Sequence, residues 1–253
     1  MSDVILAADG VSKQFGKFLA LKKVSVSFQR GRLTAIIGPN GAGKSTFFNL
    51  LSGAFPPTFG TVTYEGRDIT GLPQHEFARI GIAKSFQITS LFPALSAREN
   101  VRIALQAMHS RYDLWTARHK IRELYDRADE LMALVGLERH GERMVGNLAH
   151  GEQRALEIAV ALSCQPKLLL LDEPTAGMSP EETRQMMDLI ARLAEDRTVV
   201  LVEHKMKLVM GICDHLVVLH HGELLAEGTP AEIQTNEEVK RVYLGQGRKH
   251  AQH

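Results

Sequence analysis

Cysteine and long apolar runs are scarce in this chain of 253 residues. Its two cysteines, Cys164 and Cys213, form no CxxC and lie in apolar contexts, so both read as buried free thiols of a reducing cytoplasm. An excess of either charge is missing too. The 30 basic and 29 acidic residues leave a formal charge of +1, and nothing in that balance implies a nucleic-acid or strongly acidic partner. The longest apolar runs, such as "KLLLLD" and "TVVLVEH", have strand length, whereas a membrane-spanning helix needs about 20 mostly apolar residues. The start "MSDVILAADG" lacks the basic residues and long apolar region of a signal peptide, and no repeat, low-complexity tract or proline-rich linker follows. A cytosolic globular chain is expected, large enough to bury roughly 70–75% of its unfolded surface. Only the tail, residues 246–253, reads as disordered.

What is present is an alternation of strands and helices. "VILAAD", "VSVSF", "LTAIIG", "TVTY", "IAKSF", "LLLLD", "TVVLVE" and "LVVLH" all read as strands with helical segments between them, which predicts an α/β core. Continuous apolar runs such as "LLLLD" suit central parallel strands covered on both faces, while the alternation in "VSVSF" and "TVTY" suits an exposed antiparallel edge. Between about Leu95 and Ala161 the strands stop and the chain becomes helical and charged, as an inserted helical region would.

Two stretches carry chemistry outright. "GPNGAGKST", Gly38 to Thr46, fits GxxxxGK[ST] between a strand and a helix, the context that motif requires. Gly38, Gly41 and Gly43 permit the tight turn of the loop through Pro39, Asn40 and Ala42, whose available backbone N–H groups, with those of the helix start, point at phosphate oxygens. Lys44 then reaches the β- and γ-phosphates and Ser45 offers a hydroxyl to Mg²⁺. Downstream, "LLLLDEP" ends a buried strand on Asp172, where a carboxylate holds Mg²⁺ directly or through water. Glu173 follows at once, suited to orienting or deprotonating an attacking water.

A third stretch, "LAHGEQR" at Leu148 to Arg154, lies between those two and opens a helix; its position resembles the signature segment of ATP-binding-cassette ATPases. The order of parts fits that resemblance. Phe15 matches the aromatic that stacks on adenine, Gln87 the glutamine at the hinge of core and helical region that also reaches Mg²⁺, and His204 the histidine at the γ-phosphate. More narrowly, "FGKFLALKKVSV", "LFPALSARENV", "DEPTAGMSPEET", "EHKMKLVMGICD" and "EGTPAEIQTNEEVKRVYLG" resemble the ATPase subunits of branched-chain amino acid importers of the LivG type. The implied fold is a P-loop NTPase core with an antiparallel β subdomain, residues 1–94 and 162–253, and an inserted helical subdomain, residues 95–161, carrying the signature.

That resemblance implies a cytoplasmic-face, peripheral ATPase using ATP and Mg²⁺, with catalysis by Glu173, His204 and Gln87. Its partners would be two transmembrane permease subunits, a second ATPase subunit (LivF-like, or a second copy) and, indirectly, a periplasmic solute-binding protein, with no nucleic acid. Two such subunits would meet head to tail, so that Ala149, His150, Gly151 and Glu152 of one complete the nucleotide site of the other. The segment from Gln87 to Asn100, with Leu91, Phe92 and Leu95, is expected to help receive a permease helix.

Two departures stand out. The usual LSGGQ serine is Ala149, which forgoes a hydrogen bond to a charged phosphate worth about 1.5–3 kcal/mol, leaving the backbone N–H groups near Gly151 available. The aspartate common after "DEPT" is Ser179. A soluble cassette ATPase, an unrelated P-loop kinase and, within the resemblance, a lipopolysaccharide-type exporter remain the competing readings. The cargo is not named by any residue of this chain.

Overall fold

The structure is a computed structural model that describes residues 3–85, 91–109 and 118–247. The chain opens with a long hairpin, β1 (Val4–Phe15) and β2 (Phe18–Gln29), which joins β4 (Phe59–Tyr64) and the two-residue β5 (Arg67–Asp68) in an antiparallel sheet of order β2-β1-β4-β5. A second sheet is built from β3 (Leu33–Ile37), β6 (Ile82–Ser85), β7 (Leu168–Asp172), β8 (Thr198–Val202), β9 (His215–His220) and β10 (Glu223–Gly228). Its order is β10-β9-β3-β8-β7-β6, parallel throughout except for β10.

The parallel strands behave as their composition requires. All five residues of β3, β7 and β8 are buried, because both faces of the sheet are covered. On one face Ile36, Leu170 and Val200 pack with Phe47 and Phe48 of α1 (Lys44–Leu51) and with the antiparallel sheet. On the other, Ala35, Leu169 and Val199 meet Leu156 of α5 (His150–Leu162) and Ile190 of α6 (Pro180–Ala194). Between β6 and β7 run α3 (Ala97–His109), α4 (Arg118–Leu134) and α5, with no strand among the described residues. The remaining helices are α2 (Gln74–Ile80), α7 (Met206–Val209), α8 (Pro230–Thr235) and α9 (Glu237–Gly247).

The α/β core with an antiparallel sheet and inserted helices is therefore as expected. The eight apolar runs all fall in strands, with Phe86 of "IAKSF" outside the described residues. "VSVSF" lies on the edge strand β2, while β4 is flanked by β1 and the short β5. Two strands escaped the sequence reading. β5 is too short to show a period, and β10 ("ELLAEG") has a partly exposed surface without clean alternation. Cys213 is buried as expected, but Cys164 is only partly so; burial pushes the Cys164 thiol up to about 11 and the Cys213 thiol up to about 12. Of residues 246–253, those from 248 onward lie outside the described residues.

Candidate functional site

Parallel strands end on the same edge of a sheet, and chain segments leaving those ends form the crevice where ligands of open α/β sheets bind. Here the register pairs Asp172 with Val202 and Ile36 with Val202, so the segments following β3, β7 and β8 emerge side by side. They are the loop at Gly38–Gly43, the pair Asp172–Glu173 and the pair Glu203–His204.

The glycine loop is forced by close packing. Gly38 has φ 153, and a Cβ there would lie 2.2 Å from the Leu219 carbonyl oxygen. Gly43 has φ 97, with Ala20 O and Leu21 Cδ2 each 3.0 Å from where its Cβ would stand. Gly43 is the N-cap of α1, which has no side-chain cap and no acidic residue in its first turn. The amide donors at that helix start are thus left to an external anion. Lys44 is buried and its Nζ donates to the Gly38 and Pro39 carbonyls at 2.8 and 3.0 Å, folding back over the loop. Burial lowers its pKa from the ordinary lysine value, and the nearby Glu173 charge opposes that. Asn40, Gly41 and Ser45 are exposed, Thr46 is half-buried, and Ala42 accepts from the Gly222 amide at 3.0 Å.

Asp172 is 4% exposed and its Oδ1 has no hydrogen-bond partner among the described residues. Burial raises its pKa, opposed chiefly by Lys84. Such an orphaned buried carboxylate oxygen fits a metal ion, and with the exposed Ser45 hydroxyl it supplies the hard oxygen donors that magnesium takes. No cluster of three His, Cys, Asp or Glu suited to a metal exists among the described residues, as expected where phosphate and water fill most of the coordination shell. Glu173 adopts φ 46, a left-handed conformation costly for a side chain with a Cβ; its amide donates to the Val202 carbonyl at 3.0 Å. Its carboxylate meets His204, with Oε1 2.6 Å from Nε2.

Two residues here were not singled out from the sequence. Glu203 is 3% exposed and accepts from the Thr175 hydroxyl at 2.6 Å, the Thr175 amide at 3.3 Å and the His204 amide at 3.2 Å. It ties the loop after Glu173 to the segment carrying His204. A charged residue closing the apolar run "TVVLVE" was the available signal. Lys84 pairs in register with Leu170 and so shares a sheet face with Asp172; its Nζ donates to Asn49 Oδ1 at 2.7 Å.

The remaining expected residues are spread out. Phe15 ends β1, 47% exposed, with Phe55 edge-on at 5.6 Å and the Lys13 ammonium 5.3 Å from its ring centre. Gln87 lies outside the described residues. Ala149 is the N-cap of α5, its amide donating to Glu152 Oε2 at 2.7 Å, and His150 Nε2 lies 3.1 Å from the Ala176 carbonyl oxygen. Among the described residues no hydrogen bond or ion pair joins Ala149, His150, Gly151 or Glu152 to residues 38–46. Gly151 packs against the Glu182 carboxylate of α6, whose Oε1 lies 2.9 Å from where a Gly151 Cβ would stand. Ser179 is the N-cap of α6, with its amide donating to Glu182 Oε2 at 2.9 Å.

A separate apolar groove of about 290 Å³ runs between the sheet and the inserted helices, lined by Phe77, Lys84, Leu91, Met108, Glu157 and Val160 among others. Leu91 is buried in it, Leu95 is half-buried and Phe92 is 53% exposed.

Comparison with known proteins places this geometry. The "ABC transporter" family model matches residues 21–176, and the "Branched-chain amino acid ATP-binding cassette transporter" model matches residues 223–249. The high-affinity branched-chain amino acid transport ATP-binding protein LivG of Salmonella typhimurium is 42% identical, over 97% of this chain and all of that protein. The crystal structure of the ADP conformation of MJ1267, an ATP-binding cassette of an ABC transporter, is similar with TM-score 0.84 at 29% identity, covering 96% of this chain and 99% of that one. The dimeric structure of a post-hydrolysis state of the cassette MJ0796, bound to ADP and Pi, gives TM-score 0.76 at 29% identity over 89% of this chain and 99% of that one.

Proposed function

The chain belongs to the ABC transporter family of ATP-binding proteins, and from that premise we propose that it is the LivG-type ATPase of an importer for branched-chain amino acids. The observation that carries the hydrolytic part is the convergence of Lys44, Asp172, Glu173 and His204 at the ends of three adjacent parallel strands.

In this reading the glycine loop and the start of α1 bind the phosphates, and Lys44 exchanges its loop carbonyls for phosphate oxygens. Phe15 stacks on the base. Ser45 and Asp172 would hold magnesium, with Gln87 assigned there by sequence position; bound there, it would supply positive charge to offset that developing on the phosphates. Glu173 takes the proton of the attacking water, and His204 holds the Glu173 carboxylate in place at 2.6 Å while facing the terminal phosphate. The Glu203 bonds to Thr175 and to the His204 amide keep those two segments in fixed relation.

Partners follow from the same reading. Residues 95–161 act as the helical subdomain, and the start of α5 serves the nucleotide of a second ATPase subunit, LivF-like or a second copy. The groove floored by Leu91 receives a helix of one of two permease subunits, with the exposed Phe92 as an anchor at its rim. No helix among the described residues is long and apolar enough to cross a membrane; in this reading the permease chains hold the subunit at the cytoplasmic face. The match of residues 223–249 to a branched-chain-specific model favours import of these amino acids over lipopolysaccharide-type export.

The test is reconstitution with permease, second ATPase and binding-protein chains from the same source. Leucine, isoleucine or valine uptake should require ATP, and Glu173→Gln should retain Mg-ATP binding while reducing turnover at least roughly 10²-fold. Wild-type turnover in that variant removes Glu173 as the base. ATP-dependent uptake of some other solute, with none of these three, rejects the cargo.

A further inference from the structure

Helix α5 begins in an unusual way. Its N-cap is Ala149, which has no side-chain acceptor for the amides of the first turn, and a helix start left so is ordinarily unfavourable. Two carboxylates stand at this helix start. Glu152, in the same turn, accepts from the Ala149 amide at 2.7 Å. Glu182 arrives from α6, thirty-one positions after Gly151, and sets Oε1 against that glycine, 2.9 Å from where a Cβ would stand. Its other oxygen, Oε2, accepts from the Ser179 amide at 2.9 Å, and its own amide donates to Ser179 Oγ at 3.3 Å. Ser179 and the glycine two positions after Ala149 thus meet the same side chain.

Glu182 is half-buried, so its carboxylate is within reach of solvent and can be exchanged for another anion. Its hold on α6 runs through Oε2 and the Ser179 amide, while Oε1 is the oxygen that stands beside Gly151. Building on the head-to-tail reading above, the Gly151 amide is where the partner's terminal phosphate must arrive, and an anion already stands there. We propose that Glu182 is an internal latch: it occupies the anion position at the start of α5 in the unpartnered subunit and is displaced by the phosphate of the partner's nucleotide when the ATP-bound dimer forms. The Ser179 bond keeps the released side chain on α6, so that opening the latch leaves that helix capped.

A latch and a permanent cap have opposite consequences. Loss of a latch tightens the dimer; loss of a cap only loosens the fold. Glu182→Gln removes the charge with little change of shape, and Glu182→Asp keeps charge and the α6 cap but is one methylene too short to reach Gly151. The dimer dissociation constant is measured by sedimentation in saturating Mg-ATP in the Glu173→Gln background, with the second ATPase chain present. Both variants should tighten the dimer by about tenfold or more, because a carboxylate beside an arriving phosphate is a like-charge juxtaposition, and the monomer should bind fluorescent ATP with unchanged affinity. An unchanged or weaker dimer in both variants, with a normal dimer in the parent, overturns the latch and leaves the shared-site reading standing. Absence of any ATP-dependent dimer in parent and variants alike rejects the shared site, and the latch with it. If Glu182→Gln does not fold, Glu182→Asp decides.

Discussion

Replacing Glu203 tests whether the crevice is held by one buried carboxylate. Glu203→Ala removes the acceptor of the Thr175 hydroxyl at 2.6 Å and of two amides at 3.2 and 3.3 Å, in a position only 3% exposed. Hydrogen bonds to a charged group are worth about 1.5–3 kcal/mol each at good geometry. The short hydroxyl bond therefore contributes most, the two long amide contacts add less, and the total loss is about 3 kcal/mol. For a domain of this size that lowers the melting temperature by roughly 6–12 °C. Glu203→Gln keeps the volume and one acceptor for Thr175 but turns an N–H₂ group toward the His204 amide, so it should lose about half as much. Urea unfolding with tryptophan fluorescence gives both differences, and steady-state phosphate release gives turnover. Turnover should fall in both variants, because His204 loses its amide anchor. A Glu203→Ala protein destabilised by less than about 1 kcal/mol, with normal turnover, would refute the account of Glu203 as the tie between these segments.

Asp172→Asn should raise the melting temperature of the nucleotide-free protein at neutral pH. Burial raises the carboxyl pKa in the folded state, so the wild type binds its proton more tightly when folded and loses stability as pH rises through the carboxylate range; the amide removes that dependence. Flat, identical pH profiles for both proteins would count against it. Lys44→Ala should abolish nucleotide binding by the monomer, whereas Gly151→Asp should spare binding but block the ATP-dependent dimer; it sets a second carboxylate against Glu182, so its own melting temperature must also fall. Equal loss of nucleotide binding in both would place the start of α5 at its own chain's site. Phe92→Ala, at a position 53% exposed, should abolish co-purification with the permease at nearly unchanged melting temperature, while Leu91→Ala should cost stability as a buried residue does. Full co-purification of Phe92→Ala would remove that anchor.

Local chemistry made much of this protein legible in advance. Five consecutive apolar residues are readable as a strand covered on both faces, and GxxxxGK[ST] between such a strand and a helix admits few other backbones, because only glycine tolerates the contacts at Gly38 and Gly43. Asp172 and Glu173 stood out for the same reason, a charge closing an apolar run. Pairings between distant segments stayed hidden. The 2.6 Å contact of Glu173 with His204 and the role of Glu203 depend on β7 and β8 being neighbours in register, which no local pattern specifies. β10 was missed because its burial comes from packing beside β9 rather than from a period of its own. The surroundings of Gly151 stayed hidden on the same ground. From sequence, Ala149 means only an absent hydroxyl; that a carboxylate thirty-one positions after Gly151 packs against that glycine is decided by how α6 lies against α5, by distance in space rather than along the chain.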